Sequence, residues 1–311
     1  MDLKGNLRRL ADHIRRNPVV NNVVTSLGRR LLPSGPLRRW CVNHLAREGI
    51  VSISLPWGTE RQSIRLQSGS DWLTSRIWWD GVDAFEPEIG PYFGCLAPQA
   101  RCVLDVGAFT GWYSVVAATL NPAGQVFAFE ANPVVAASLR RNLELNCLEN
   151  VHVLECAVAE ADGQGVFHVG GAGLPSSSSL ESDWQGLYHS ISVRTRSVDS
   201  VLEEAGKPPV DLVKIDVEGS EHRVLNGMVQ TLRRCRPVLV VELLPDYRVS
   251  FLDSLDSLTR EGYDFYECNP EALIPIAPGI DALMDVRSMN FLAVARNSKS
   301  FPLLEPFIQE H

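Results

Sequence analysis

Residues 101–111, RCVLDVGAFTG, place an aspartate and two glycines where a strand gives way to a helix. An apolar run ends at Asp105, Gly107 and Gly111 follow, and a helical pattern runs from Trp112 to Leu120. A glycine turn of this kind lets a ligand lie against bare backbone at a helix N-terminus, where amide donors are free and the dipole is positive. The spacing narrows the ligand. A dinucleotide fingerprint needs G-x-G-x-x-G, and here Phe109 and Trp112 stand where its second and third glycines would fall. Phe109 denies the close backbone approach that a pyrophosphate requires. The D-x-G-x-x-x-G present suits a ligand with an amino-acid end, its carboxylate on helix amides and its ammonium on Asp105 or strand-end carbonyls.

A second acid supports a nucleoside at the same site. QVFAFE, residues 125–130, reads as a buried strand ending in Glu130, which lies 19 residues after Gly111 and is followed by Asn132 and Pro133. An acid at the tip of the second strand is placed to accept both ribose hydroxyls. The two features together fit S-adenosylmethionine. A third cluster, KIDVEGSE at 214–221, carries charge on a strand that should be buried, which is costly without purpose. Lys214 and Asp216 share one face by period two, and Glu218 continues it. Placed beside the first strand, Asp216 faces the reactive end of the cofactor and can take a proton from an attacking hydroxyl, with Lys214 holding it ionised. The bland alternative is an ion network of Lys214, Asp216 and Glu218 with Glu221 at a helix N-terminus. Glu242 and His222 are weaker candidates. No metal-ligand spacing is found among the histidines, and no metal is expected.

The elements that must position these groups alternate. Strands are expected at 101–106, 125–130, 151–158, 192–196, 211–217 and 237–243, with helices at 111–120, 133–146, 220–232 and 249–261. That rhythm implies βαβ units and a mainly parallel sheet. Residues 263–267 and 290–295 are expected to close it as an antiparallel pair, and 269–289 has no clear pattern. The glycine- and serine-rich 161–186 reads as a loop, with a lid as its functional form. Residues 1–48 read as helices broken at Pro33 and Pro36, and 51–66 as a hairpin.

Composition sets bounds. The chain has 311 residues, 45% hydrophobic, and no apolar run long enough for a transmembrane helix or a signal peptide. Seven scattered cysteines without C-x-x-C read as free thiols in a reducing cytoplasm. Residues 1–50 carry a net +7 and the remainder −15. An acidic body argues against a nucleic-acid substrate. Leu3, Leu7, Leu10 and Ile14, flanked by Arg8, Arg9, Arg15 and Arg16, form a stripe that either packs on its own domain or makes a weak peripheral contact with an anionic membrane through residues 1–30.

The motifs VLDVGAFTGWYS (103–114), FAFEANP (127–133), NLELN (142–146), SSSSL (176–180), VDS (198–200), LVKIDVEGSE (212–221) and NFLAV (290–294) together resemble the FkbM family of S-adenosylmethionine-dependent methyltransferases. The resemblance covers about residues 85–295. It implies a class I methyltransferase fold, a Rossmann-like α/β three-layer sandwich with a seven-stranded sheet and one antiparallel strand, after an N-terminal helical and hairpin extension over 1–84. It also implies methyl transfer to a hydroxyl of a sugar, glycan or polyketide-like metabolite. The expected cofactor-binding residues are then Asp105, Gly107, Phe109, Thr110 and Gly111 at the methionine end, Glu130 with Asn132 at the ribose, and Ala157 near the adenine. Asp216, Lys214 and Glu218 are the expected catalytic set. A nicotinamide-dependent oxidoreductase and a non-enzymatic cofactor-binding module are the alternatives.

Overall fold

The computed structural model describes residues 3–58, 61–69, 71–170, 178–181, 188–277 and 286–309, with side chains from residue 9 onward. The chain opens with helices α1 (Leu3–Arg15), α2 (Pro18–Leu31) and α3 (Pro36–His44), a hairpin of β1 (Gly49–Ser54) and β2 (Ser63–Ser68), and helices α4 (Trp72–Asp80) and α5 (Gly90–Leu96). The alternating body follows: β3 (Cys102–Val106), α6 (Trp112–Leu120), β4 (Gln125–Phe129), α7 (Pro133–Leu145), β5 (Val151–Leu154), β6 (Ala157–Val158), β7 (Gly163–Gly170), β8 (Ser178–Ser179), β9 (Tyr188–Arg196), α8 (Val198–Glu204), β10 (Leu212–Ile215), α9 (Glu221–Asn226), α10 (Val229–Cys235), β11 (Val238–Glu242), α11 (Leu252–Arg260), β12 (Tyr263–Cys268), β13 (Leu273–Ile276) and β14 (Asn290–Ala295).

The main sheet has the order β13-β12-β14-β11-β10-β3-β4-β5. Its β5-β4-β3-β10-β11 half is parallel, as continuous apolar strands with crossover helices require. Strand β14 inserts antiparallel between β11 and β12, so 263–267 and 290–295 pair as expected. One apolar layer lies on each face. Val103, Leu212, Val240 and Leu292 point into one, with α4 to α6. Leu104, Val213, Val241 and Ala293 point into the other, with α8 to α11. The result is a three-layer α/β sandwich, with helices on both faces of the sheet.

Four details differ from the sequence reading. The sheet has eight strands and two reversed ones rather than seven and one, because the chain turns at Asn269, whose amide donates to the Ala272 carbonyl at 3.1 Å, and returns as β13. Pro275 is tolerated there because β13 is an edge strand. The strand expected over 151–158 breaks in two: the Cys156 amide turns back to the Leu154 carbonyl at 3.0 Å, and β6 leaves for β9. The segment read as a loop at 161–186 contains β7 and β8, part of a second sheet ordered β6-β9-β7-β8. The lid expectation also covers 171–177 and 182–187, which lie outside the described residues. The single helix expected over 220–232 divides at Gly227 and Met228 into α9 and α10.

The N-terminal extension is packed onto the sheet. One core joins Ala11, Leu45, Ile64 and Trp79 to Val115, Leu139 and Val240. Asn142 and Asn146 on α7 accept hydrogen bonds from the β2 amides of Gln67 and Arg65 at 2.8 and 2.7 Å. All seven cysteines are free thiols. Among the described residues no helix is long and apolar enough to cross a membrane.

Candidate active site

A cavity of about 300 Å³ opens at the carboxyl ends of β3, β4, β10 and β11. Parallel strands end together there and their backbones splay, which is where open α/β sheets bind ligands. Of the expected site residues, Gly107, Phe109, Glu130, Ala157, Asp216 and Glu218 line it.

Glu130 stands at the tip of β4, 8% exposed. One oxygen accepts the Phe109 amide at 2.9 Å and the other the Asn132 amide at 2.8 Å. The carboxylate keeps further acceptor positions, which the two donating hydroxyls of a ribose diol need. Burial pushes the Glu130 carboxyl up to about 7, against the Asn132, Phe109 and Ala131 amides that favour its charge. Phe109 takes φ 50°, a left-handed conformation forced by this turn. A side chain thus stands where a dinucleotide site has its second glycine.

The other expected cofactor residues build the wall rather than the lining. Asp105 is 2% exposed and accepts the Ser114 hydroxyl at 2.6 Å, so it braces the first turn of α6. Thr110 donates to the Asp71 carboxylate at 3.0 Å, and its carbonyl accepts from Asn142 at 2.8 Å. Asn132 caps α7 through the Val134 amide. Gly111 takes φ 90° at the N-cap of α6. The amides of Gly107, Ala108, Phe109 and Gly111 all donate within the protein. The expectation of free turn amides therefore does not hold at these positions.

The catalytic candidates converge. Lys214, 1% exposed, lies 3.3 Å from the Asp216 carboxylate and faces the Tyr113 ring with Nζ 5.5 Å from its centroid. Burial alone would strip its proton, but Asp216, Glu86 and Glu242 outweigh burial and hold it charged. Burial also opposes charge on Asp216, and the Lys214 charge with hydrogen bonds from Glu242 and Lys214 overcomes it, so Asp216 stays below the usual carboxylate range. Glu242 moves the other way: burial, then the Asp216 charge, keep it protonated. Glu242 is therefore the donor in the hydrogen bond that it shares with Asp216. Glu218, with φ 55°, is pushed up to about 8 by burial and the nearby Asp216 and Glu221 charges. Glu221 turns back on its own loop, accepting the Gly219 amide at 3.0 Å, and serves the backbone. His222 is not in the lining.

Several site groups carry no signal in the spacing. Glu86, at φ 41°, accepts a short hydrogen bond from Tyr113 Oη and completes a carboxylate group with Asp216 and Glu242 whose oxygens lie within 4.8 Å of one another. Trp72 and Phe85, 6.0 Å apart between ring centroids, add an aromatic wall. All three precede β3 and reach the site only through tertiary packing. Leu180 closes the cavity from the β7–β8 side, and next to it Ser179 and Glu181 meet the Ser220 hydroxyl at 3.4 and 3.2 Å.

The family model described as the methyltransferase FkbM domain matches residues 105–265, just over half of the chain. The 2-O-methyltransferase NoeI of Sinorhizobium fredii is 31% identical over 147 residues, covering 43% of this chain and 60% of that protein. The methyltransferase sdnD of Sordaria araneosa is 29% identical over 160 residues, covering 42% and 61%. The hexuronic acid methyltransferase AglP of Haloferax volcanii is 28% identical over 144 residues, covering 46% and 56%. The chain thus spans about 60% of the length of these relatives. Among solved structures, methyltransferase FkbM from Methylobacillus flagellatus aligns at 16% identity with a TM-score of 0.41, covering 63% of this chain and 43% of that one.

Proposed function

Because the chain belongs to the FkbM methyltransferase domain family, we propose that it transfers a methyl group from S-adenosylmethionine to a hydroxyl of a sugar, glycan or polyketide-like acceptor. The observation that carries this reading is that Glu130 and Asp216 line one cavity from the ends of β4 and β10, on either side of β3. Three relatives named as methyltransferases, one of them 2-O-directed and one acting on hexuronic acid, support it.

The residues fit the cofactor on their donor chemistry. Glu130 offers two acceptor oxygens for a ribose, and Phe129, Ala157 and Val158 offer an apolar slot for an adenine. When bound, S-adenosylmethionine supplies an electrophilic methyl on a sulfonium, whose C–S bond breaks with its electron pair left on sulfur. The chain's own residues supply position and proton transfer. Asp216 accepts the acceptor's hydroxyl proton as the oxygen forms its bond to carbon. Lys214 keeps Asp216 charged until then, and protonated Glu242 fixes its orientation. Trp72 and Phe85 give a sugar ring an apolar face to stack on, while Glu86 and Glu218 are placed to receive its other hydroxyls. Much of the acceleration on this reading comes from alignment.

The test is methyl transfer from labelled S-adenosylmethionine into a panel of sugar, glycan and polyketide hydroxyls, with S-adenosylhomocysteine binding followed by calorimetry. Labelled ether product is expected, and Asp216→Asn should lower kcat by roughly 10²- to 10⁴-fold with binding retained. Absence of S-adenosylhomocysteine binding at millimolar concentration would overturn the cofactor assignment. Unchanged turnover in Asp216→Asn would remove the proposed base.

A further inference from the structure

Helix α2 is built inside out. Its protein-facing side holds Asn21 and Thr25, each 0% exposed, and Gly28, against which Trp79 packs so closely that a β-carbon would sit 2.8 Å from the indole. Asn21 donates to the Ala46 carbonyl at 2.6 Å while its Oδ1 is buried without a partner, and Thr25 donates to the Asn21 carbonyl at 2.8 Å. The outward side holds Val19, Val20, Val23, Leu27 and Leu31, exposed by 72, 44, 54, 52 and 69%. At 100° per residue these five fall within an arc of about 120°, a continuous apolar ridge. Leu10 on α1 and Leu37 on α3 are also more than half exposed. The remaining exposed large apolar residues lie outside these helices, at Ile50, Trp72, Val134, Val166, Val249 and Met289.

The stripe read from sequence on α1 is not this ridge. Ile14 packs on the core beside buried Ala11, Leu10 is half exposed, and Leu3, Leu7 and Arg8 lie outside the described side chains. The outward apolar face belongs mainly to α2.

Basic residues accompany the ridge. Arg30 falls within the same arc, Arg9, Arg15, Arg29 and Arg39 are exposed on the same three helices, and Arg16 is exposed between α1 and α2. Residues 1–50 carry a net +7 against −15 for the rest of the chain. An aliphatic ridge with arginines beside it matches an anionic lipid surface, which offers headgroup charge and an apolar layer beneath. The acidic body of a second copy would meet the charge, but its exposed apolar residues are dispersed along the sequence and offer no such ridge.

We propose that α2, with the neighbouring ends of α1 and α3, docks the enzyme on an anionic bilayer, lying in its interface without crossing it. Helix α4 ties this face to the cleft: its last turn carries Trp78 and Trp79 under α2, and its first residue, Trp72, lines the cavity.

The test is co-sedimentation of the full chain with phosphatidylcholine vesicles and with phosphatidylcholine–phosphatidylglycerol vesicles, alongside sedimentation velocity without lipid. Binding to the anionic vesicles alone is expected, weakened about 10-fold or more by Arg16→Gln with Arg30→Gln and abolished by Val23→Asp with Leu27→Asp. Both pairs are exposed, and retained S-adenosylhomocysteine affinity would show an intact fold. No binding to either vesicle, or equal binding to both, overturns the proposal. A dimer in solution that the Val23→Asp, Leu27→Asp variant dissociates would assign the ridge to a second copy instead.

Discussion

A β-carbon on Gly107 would lie 1.7 Å from the backbone carbonyl oxygen of Asp216. The glycine turn after β3 and the acid loop after β10 are therefore pressed backbone to backbone, and the Asp216 amide also donates to the Val106 carbonyl at 2.9 Å. The proposed cofactor turn and the proposed base are one rigid unit. Glycine is required at 107 by this contact as well as by its φ of 83°, not by a ligand alone.

Gly107→Ala is expected to damage both halves of that unit. A left-handed alanine costs about 1–2 kcal/mol, and displacing the neighbouring backbone adds about 1–3 kcal/mol. The variant should melt several degrees lower and lose both S-adenosylhomocysteine affinity and turnover. A variant with full affinity and normal kcat would show that the two loops move independently.

Glu130→Gln removes the charge while keeping the shape. The Phe109 and Asn132 amides still find one acceptor oxygen between them, but the second becomes a donor. Losing charge-assisted hydrogen bonds to a ribose costs about 1.5–3 kcal/mol, an affinity loss of roughly 10- to 100-fold for S-adenosylhomocysteine by calorimetry. In the wild type the same loss should appear as pH falls below about 7, where Glu130 takes up its proton, and the variant should lack that pH dependence.

The parts of this site legible in the sequence are those set by strand and turn chemistry. Asp216 beside Lys214 follows from period-two alternation, and Glu130 from its place at a strand tip. Glu86, Trp72 and Phe85 were not legible, because no local period points a residue at a pocket built by elements far along the chain. The surroundings of Asp105 are not legible for a related reason. Its position at a strand end suits a ligand, yet the Ser114 hydroxyl one turn into α6 claims its carboxylate first. β7 was hidden by the glycines and serines around it, which spell a loop locally while the pairing with β9 makes a strand.

Stability should fall as pH rises from 6 to 8.5 in the ligand-free protein. Burial pushes Asp105 up to about 6, Glu130 and Glu221 to about 7, and Glu218 to about 8. A raised carboxyl binds its proton more tightly in the fold than in the unfolded chain. Its contribution is thus complete below the unfolded value and is lost as pH climbs through the folded one. After solvent screening the loss is about 2 kcal/mol, or ~4–8 °C in Tm. Glu218→Gln removes the highest-titrating of the four and should flatten the upper end of the curve. A Tm that stays level or increases over this range would contradict the assignment.

Lys214→Met and Asp216→Asn should fail in different ways. Lys214 is a buried cation that neutralises Asp216 with Glu86 and Glu242 close by. Replacing it leaves the buried Asp216 charge without its cation, and breaking such a pair costs about 3–5 kcal/mol. The surviving Asp216 would then titrate higher, so the acid limb of the kcat profile should move to higher pH. Asp216→Asn keeps the cation, with Glu86 and Glu242 still able to ionise beside it, and should leave Tm much less affected while turnover collapses across the whole pH range. Thermal melts and pH–rate profiles on both variants separate the two roles. A Lys214→Met enzyme with unchanged Tm and an unshifted profile would show that the lysine does not hold Asp216 in its charged state.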